Sequence, residues 1–119
     1  MSTTPALIEF GSDGLFEAFR DQLHREFQHL SFPAGFVPEL KPDYHQIQDA
    51  IAAALDKQIQ LPHFSLAQML YRIDISESQV KRYVHNSPDV PFLHVVAELI
   101  IKRVLEKTVM RKHYGSGNK

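Results

Sequence analysis

The stretch Phe92-Leu-His-Val-Val-Ala-Glu-Leu-Ile-Ile-Lys-Arg-Val-Leu-Glu-Lys-Thr-Val-Met-Arg-Lys-His-Tyr114 decides the fold. Its apolar residues Phe92, Val95, Val96, Leu99, Ile100, Val104 and Leu105 recur at steps of three and four, the spacing of an α-helix. They cover more than one narrow stripe, and a helix that apolar contacts neighbours on two sides. Pro91 suits the first turn and Gly115 is the predicted C-cap. The stretch therefore predicts a long spine on which shorter elements pack, with surplus apolar surface available to a second copy of the chain.

Working outward, four shorter helices are predicted, each with its own boundary signals. From Leu15 to Leu30, Phe16, Phe19, Leu23, Phe27 and Leu30 form an aromatic stripe, with Asp13 placed to cap and Glu17 in the first turn. Pro33, Gly35, Pro38 and Pro42 prevent continuation, so an extended connection is expected to lay Phe32, Phe36, Val37 and Leu40 over the core. Asp43 with Gln46 starts a second helix, whose apolar face is Tyr44, Ile47, Ile51, Ala54, Leu55 and Ile59.

Ser65 with Gln68 starts a third helix that buries Leu66, Met69, Leu70 and Ile73, stapled by Phe64 against Met69. Ser76 with Gln79 starts a fourth, stapled by Ile75 against Val80, with Tyr83 and Val84 turned inward. Asn86-Ser87-Pro88 stops it. No strand-period segment, internal repeat or low-complexity tract competes with this pattern. The expected fold is all-α, a compact orthogonal bundle of about five helices built on the long C-terminal spine. Residues 1–12 and 115–119 are read as tails around one domain at 13–114.

Composition agrees and excludes several kinds of chemistry. The 119 residues are 44% hydrophobic and 23% charged, ordinary for one folded domain. With no cysteine, thiolate metal sites, iron–sulfur clusters, disulfide frameworks and thiol nucleophiles are excluded. No segment approaches the roughly 20 apolar residues of a membrane span, and the opening residues lack the basic and apolar regions of a secretory signal. A cytoplasmic protein is expected. The net charge of −1 argues against indiscriminate polyanion binding. It conceals an asymmetry: residues 1–60 carry four basic and nine acidic side chains, residues 61–119 nine basic and five acidic. Mutual attraction between the two halves is the simplest account, with a basic partner surface as the alternative.

No catalytic or metal constellation stands out. His24 and His29 do not share a helix face, and Asp21 with His24 forms a single carboxylate–histidine unit where bundle di-iron sites need two. His94 and Glu98 are a lone pair at a four-residue step. Glu17, Asp21, His24 and Gln28 read as the wet face opposite the phenylalanines. Ser65 and Ser76 are accounted for as caps, and the five glycines fit neither a phosphate loop nor a dinucleotide fingerprint. No cofactor is expected, and the balance leans away from an enzyme.

Two patterns carry a functional implication. The segment Ala67-Gln-Met-Leu-Tyr-Arg-Ile-Asp-Ile-Ser-Glu-Ser-Gln-Val-Lys-Arg-Tyr-Val84 resembles a helix-turn-helix unit. It has Asp74 where such turns usually carry glycine, and Leu70 where the first helix usually has alanine. The resemblance implies DNA binding, with polar Ser78, Gln79, Lys81 and Arg82 facing outward on a recognition helix. On the spine, Arg103, Lys107 and Arg111 form a basic stripe at steps of four, followed by Lys112 and His113. Such a stripe either stabilises a helix C-terminus or meets an anionic partner, nucleic acid or acidic protein, with a membrane surface the least expected. The first functional expectation is a non-catalytic protein-interaction domain that self-associates through the spine. The alternative is a small DNA-binding regulator using residues 66–86.

Overall fold

The computed structural model describes residues 14–28 and 40–117, with side chains described as far as residue 111. The predicted N-terminal tail, the Asp13 cap, His29, Leu30, and Phe32, Phe36 and Val37 of the connection lie outside the described residues. Among those described there are five helices and no strand: α1 (Leu15–Gln28), α2 (Tyr44–Gln58), α3 (Leu66–Ile73), α4 (Glu77–Asn86) and α5 (Phe92–Gly117). The all-α expectation holds, with the last helix packed against the others. α5 runs through Gly115 to Gly117 instead of stopping at a cap. Glycine permits the left-handed ending of a helix but does not impose it.

Local chemistry sets the helix starts. The Gln46 amide donates to Asp43 Oδ1 at 3.1 Å, the cap expected of α2. The Gln46 side chain makes the reciprocal bond two residues further out, accepting from the Lys41 amide at 3.1 Å. Ser65 Oγ accepts from the Gln68 amide at 3.2 Å, and Ser76 Oγ from the Gln79 amide at 3.1 Å. α1 begins at Gly14, which holds φ +69°, and its carbonyl accepts from the Ala18 amide at 3.0 Å.

α5 packs against all four other helices. Val95, Val96, Ala97, Leu99, Ile100, Ile101 and Val104 are all buried, an arc of about two-thirds of the helix circumference at 100° per residue. Phe19, Leu23 and Phe27 of α1 and Ile47, Ile51 and Leu55 of α2 belong to the same core cluster, as does Leu40 from the connection. Burial of this kind, at about 25 cal/mol per Å² of apolar surface, is the main force holding the helices together. The apolar surface that seemed surplus in the sequence is consumed inside one copy between Val95 and Val104. What α5 leaves half-exposed is Phe92 at its start and Val109 and Met110 near its end. Ile59, placed on the buried face of α2 by periodicity, is instead the exposed C-cap of that helix.

Three polar side chains enter the core. Thr108 Oγ1 donates back to the Val104 carbonyl at 2.7 Å. Gln22 donates to Glu26 at 2.9 Å and accepts from Arg111 at 3.5 Å. Gln58 is also buried, and no buried side-chain N or O among the described residues lacks a partner.

Candidate functional site

The segment 66–86 folds as two helices joined by the three residues Asp74, Ile75 and Ser76. α3 ends because Asp74 takes the left-handed conformation, φ 72° and ψ 43°. Aspartate is one of the few non-glycine residues that enter this region readily. The Ile75 amide then donates to the Leu70 carbonyl at 2.8 Å and the Asp74 amide to the Tyr71 carbonyl at 3.1 Å. These are the paired bonds of a Schellman ending, and the accompanying apolar contact falls to Ile75 and Leu70, both buried. Ser76 immediately caps α4. Asp74 thus gives the turn the shape that glycine usually supplies, and Leu70 is accommodated where alanine was the expected residue.

Inward, the hairpin buries Met69, Leu70, Ile73, Ile75 and Val80 in the shared core, with Tyr83 half-buried against it. Outward, Ser78, Lys81, Arg82, His85 and Asn86 are exposed on α4, and Ala67, Gln68, Tyr71 and Arg72 on α3. Tyr71 is the most exposed large apolar side chain described, at 82%. Gln79 is half-buried, held close by its amide bond to the cap. Val84, expected inside, is 37% exposed because Val80 and Tyr83 already occupy the inward side of this short helix. Ser78, Lys81 and Arg82 therefore share the outer surface of α4, and among the described residues no ion pair engages either cation.

The basic stripe of α5 is arranged differently. Arg103 reaches Asp74 Oδ2 at 3.4 Å and Glu106 at 3.3 Å. Lys107 lies 3.0 Å from Glu26 on α1 and 3.8 Å from the same Asp74 oxygen. Arg111 donates to Gln22 at 3.5 Å. Arg103, Lys107 and Arg111 are thus engaged within the fold, and the attraction between the acidic first half and the basic second half has a concrete form. The His94 ring lies 3.0 Å from Asp49, a second link between the halves, while Gln48 donates to the His94 carbonyl at 2.9 Å. His94 faces that carboxylate on α2, so its four-residue step to Glu98 does not describe its actual partner.

A third grouping lies where α2, α4 and α5 meet. Burial holds the Tyr44 hydroxyl far above the usual tyrosine range, reinforced by Glu98 and Tyr83 nearby. Burial likewise raises the Glu98 carboxyl, against a smaller opposing pull from Lys102. Among the described residues no group of three or more His, Asp or Glu side chains could hold a metal ion. No helix among them is long and apolar enough to cross a membrane.

Sequence reasoning did not find the part Asp74 plays between Arg103 and Lys107. One signal was available, since aspartate between an apolar helix end and an Ile-Ser start is well suited to a left-handed turn. Its cation partners, 29 and 33 positions further on, follow only from the packing.

The structure defines an all-α bundle with a two-helix hairpin docked on its spine. No family model, curated protein or solved structure matches the chain.

Proposed function

We propose that this protein binds duplex DNA, using residues 66–86 as a helix-turn-helix with α4 as the recognition helix. The observation that carries the reading is the Asp74 turn, whose left-handed backbone and Schellman bonds join two helices across three residues. A hairpin of this shape can lay its second helix in the major groove while the first crosses the backbone. Ser78 near the start of α4 and Arg82 one turn on suit base edges, and Lys81 suits a phosphate. Exposed Gln68, Tyr71 and Arg72 on α3 lie on the helix that would cross the phosphates. Asp74, an acid in the turn, has its charge offset by Arg103 and Lys107. The cytoplasmic location expected from the sequence belongs to the same proposal.

A mixed-sequence duplex fragment pool is the direct probe. The intact protein should retain fragments at low salt and release them steeply as salt rises, since phosphate neutralisation dominates such binding. The Lys81→Ala/Arg82→Ala double variant should lose retention. Absence of retention by the wild-type protein at low salt removes the reading.

The protein-interaction reading is favoured by a separate observation: Val109 and Met110, adjacent on α5, are each half-exposed. Self-association through this end of the spine, without catalysis, is compatible with the first reading, because helix-turn-helix proteins commonly meet two half-sites as dimers.

A further inference from the structure

Resting on the DNA-binding reading above, we infer that Asp74 is a positioning residue: it sets both the angle inside the α3–α4 hairpin and the orientation of that hairpin on the α5 spine. The first role follows from its backbone. The left-handed φ of 72° is the point at which the chain turns from α3 into Ile75, and it fixes where Ser76 can begin α4.

The second role follows from its side chain. Hydrophobic packing through Met69, Ile73, Ile75 and Val80 attaches the hairpin to the spine but gives little directional preference. The Arg103–Asp74 contact adds direction, being a charge-assisted hydrogen bond as well as an ion pair. Among the described residues, the ion pairs joining the hairpin to the rest of the fold, Arg103 at 3.4 Å and Lys107 at 3.8 Å, both end on one Asp74 oxygen. Both cations are anchored elsewhere, Arg103 by Glu106 and Lys107 by Glu26. Their side chains are only 29% and 20% exposed, so they are held by the surface of the bundle and not free to follow the hairpin. Asp74 is thus tied to two fixed points on α5, and through Lys107 to α1. A single exposed pair contributes little stability. The consequence of this tie lies in orientation, where base readout is sensitive and nonspecific phosphate attraction is not.

Asp74→Gly tests both arms, because glycine enters the left-handed turn without strain and lacks the carboxylate. In the DNA arm, a preferred duplex is first selected from a random pool with the wild-type protein. The variant should then bind nonspecific duplex as tightly as the wild type or more tightly, having lost a negative charge. It should lose roughly tenfold in discrimination for the preferred duplex, the value of about one base contact. Arg103→Gln should reproduce the loss of discrimination, and the double variant should add little to either single one. A variant that is merely destabilised would lose both kinds of binding together.

Residual dipolar couplings of the free protein provide the second arm. The α3 and α4 amides of Asp74→Gly should reorient relative to those of α5, with α1 and α2 unchanged. Couplings and discrimination that both match the wild type overturn the positioning role. If the wild type binds no DNA, the function proposed above fails, and the couplings alone still decide whether Asp74 orients the hairpin.

Discussion

The Ser76 hydroxyl accepts from the Gln79 amide at 3.1 Å and lies 3.3 Å from the Ser78 hydroxyl. It satisfies one of the amides that every helix start leaves open, and it also holds the first turn of α4 in the form in which Ser78 is presented. Ser76→Ala should cost about 1 kcal/mol, read as a lower urea midpoint at unchanged slope. An unchanged midpoint would mean that the cap contributes nothing to where α4 begins. This residue was legible in the sequence because a cap and its partner lie three positions apart. Asp74 was legible only as a residue suited to a left-handed turn, because its ion pairs depend on how α5 packs. Arg103, Lys107 and Arg111 were legible as a stripe, but their occupation by Asp74, Glu106, Glu26 and Gln22 was not. Their spacing of four is the same whether a helix faces a partner or its own fold.

At the scale of the element, α5 shows what periodicity can and cannot decide. Its residues announced contact with more than one neighbour, and it packs against all four. Periodicity could not say whether the further neighbour was a second copy or the chain itself. Glu98 sits on the narrow side of α5 not taken by the core, half-buried and close enough to Tyr44 to act on its hydroxyl. Its carboxyl is raised above the ordinary value of 4.5, with burial as the main cause. The folded protein therefore holds this proton more tightly than the unfolded chain. The resulting stabilisation is complete below the ordinary carboxyl value and is lost as pH rises through the raised one. Glu98→Gln cannot undergo this loss. Thermal melts from pH 4 to 7 should show the variant gaining on the wild type as pH rises, and remaining ahead at neutrality. A constant difference across the range would show that the Glu98 carboxyl titrates alike in folded and unfolded chains.

Across the whole molecule, the acidic first half meets the basic second half at Glu26–Lys107, and the Asp49–His94 hydrogen bond joins them again. The opposite charges of the halves were plain from composition, and the Glu26–Lys107 pair gives them a role in joining α1 to the spine. Self-association belongs to this scale too. With the middle of α5 enclosed, the half-exposed Val109 and Met110 are where two copies would meet. Sedimentation equilibrium at micromolar concentration should show a dimer, and Met110→Glu should return it to monomer. A wild-type protein that stays monomeric at high concentration removes self-association while leaving the DNA assay to stand on its own result.

The helix that encloses the core is the last of the five to be synthesised. Ribosomes add roughly 5–20 residues each second, and earlier segments emerge before later ones exist. Until Val95 to Val104 have left the exit tunnel, Phe19, Leu23, Ile47, Ile51 and Leu55 await the surface that will cover them. The nascent chain thus spends its growth with an adhesive interior open to solvent. A message truncated before Phe92 would leave four amphipathic helices with no common core, a product suited to chaperone capture and proteolysis rather than to any partial activity.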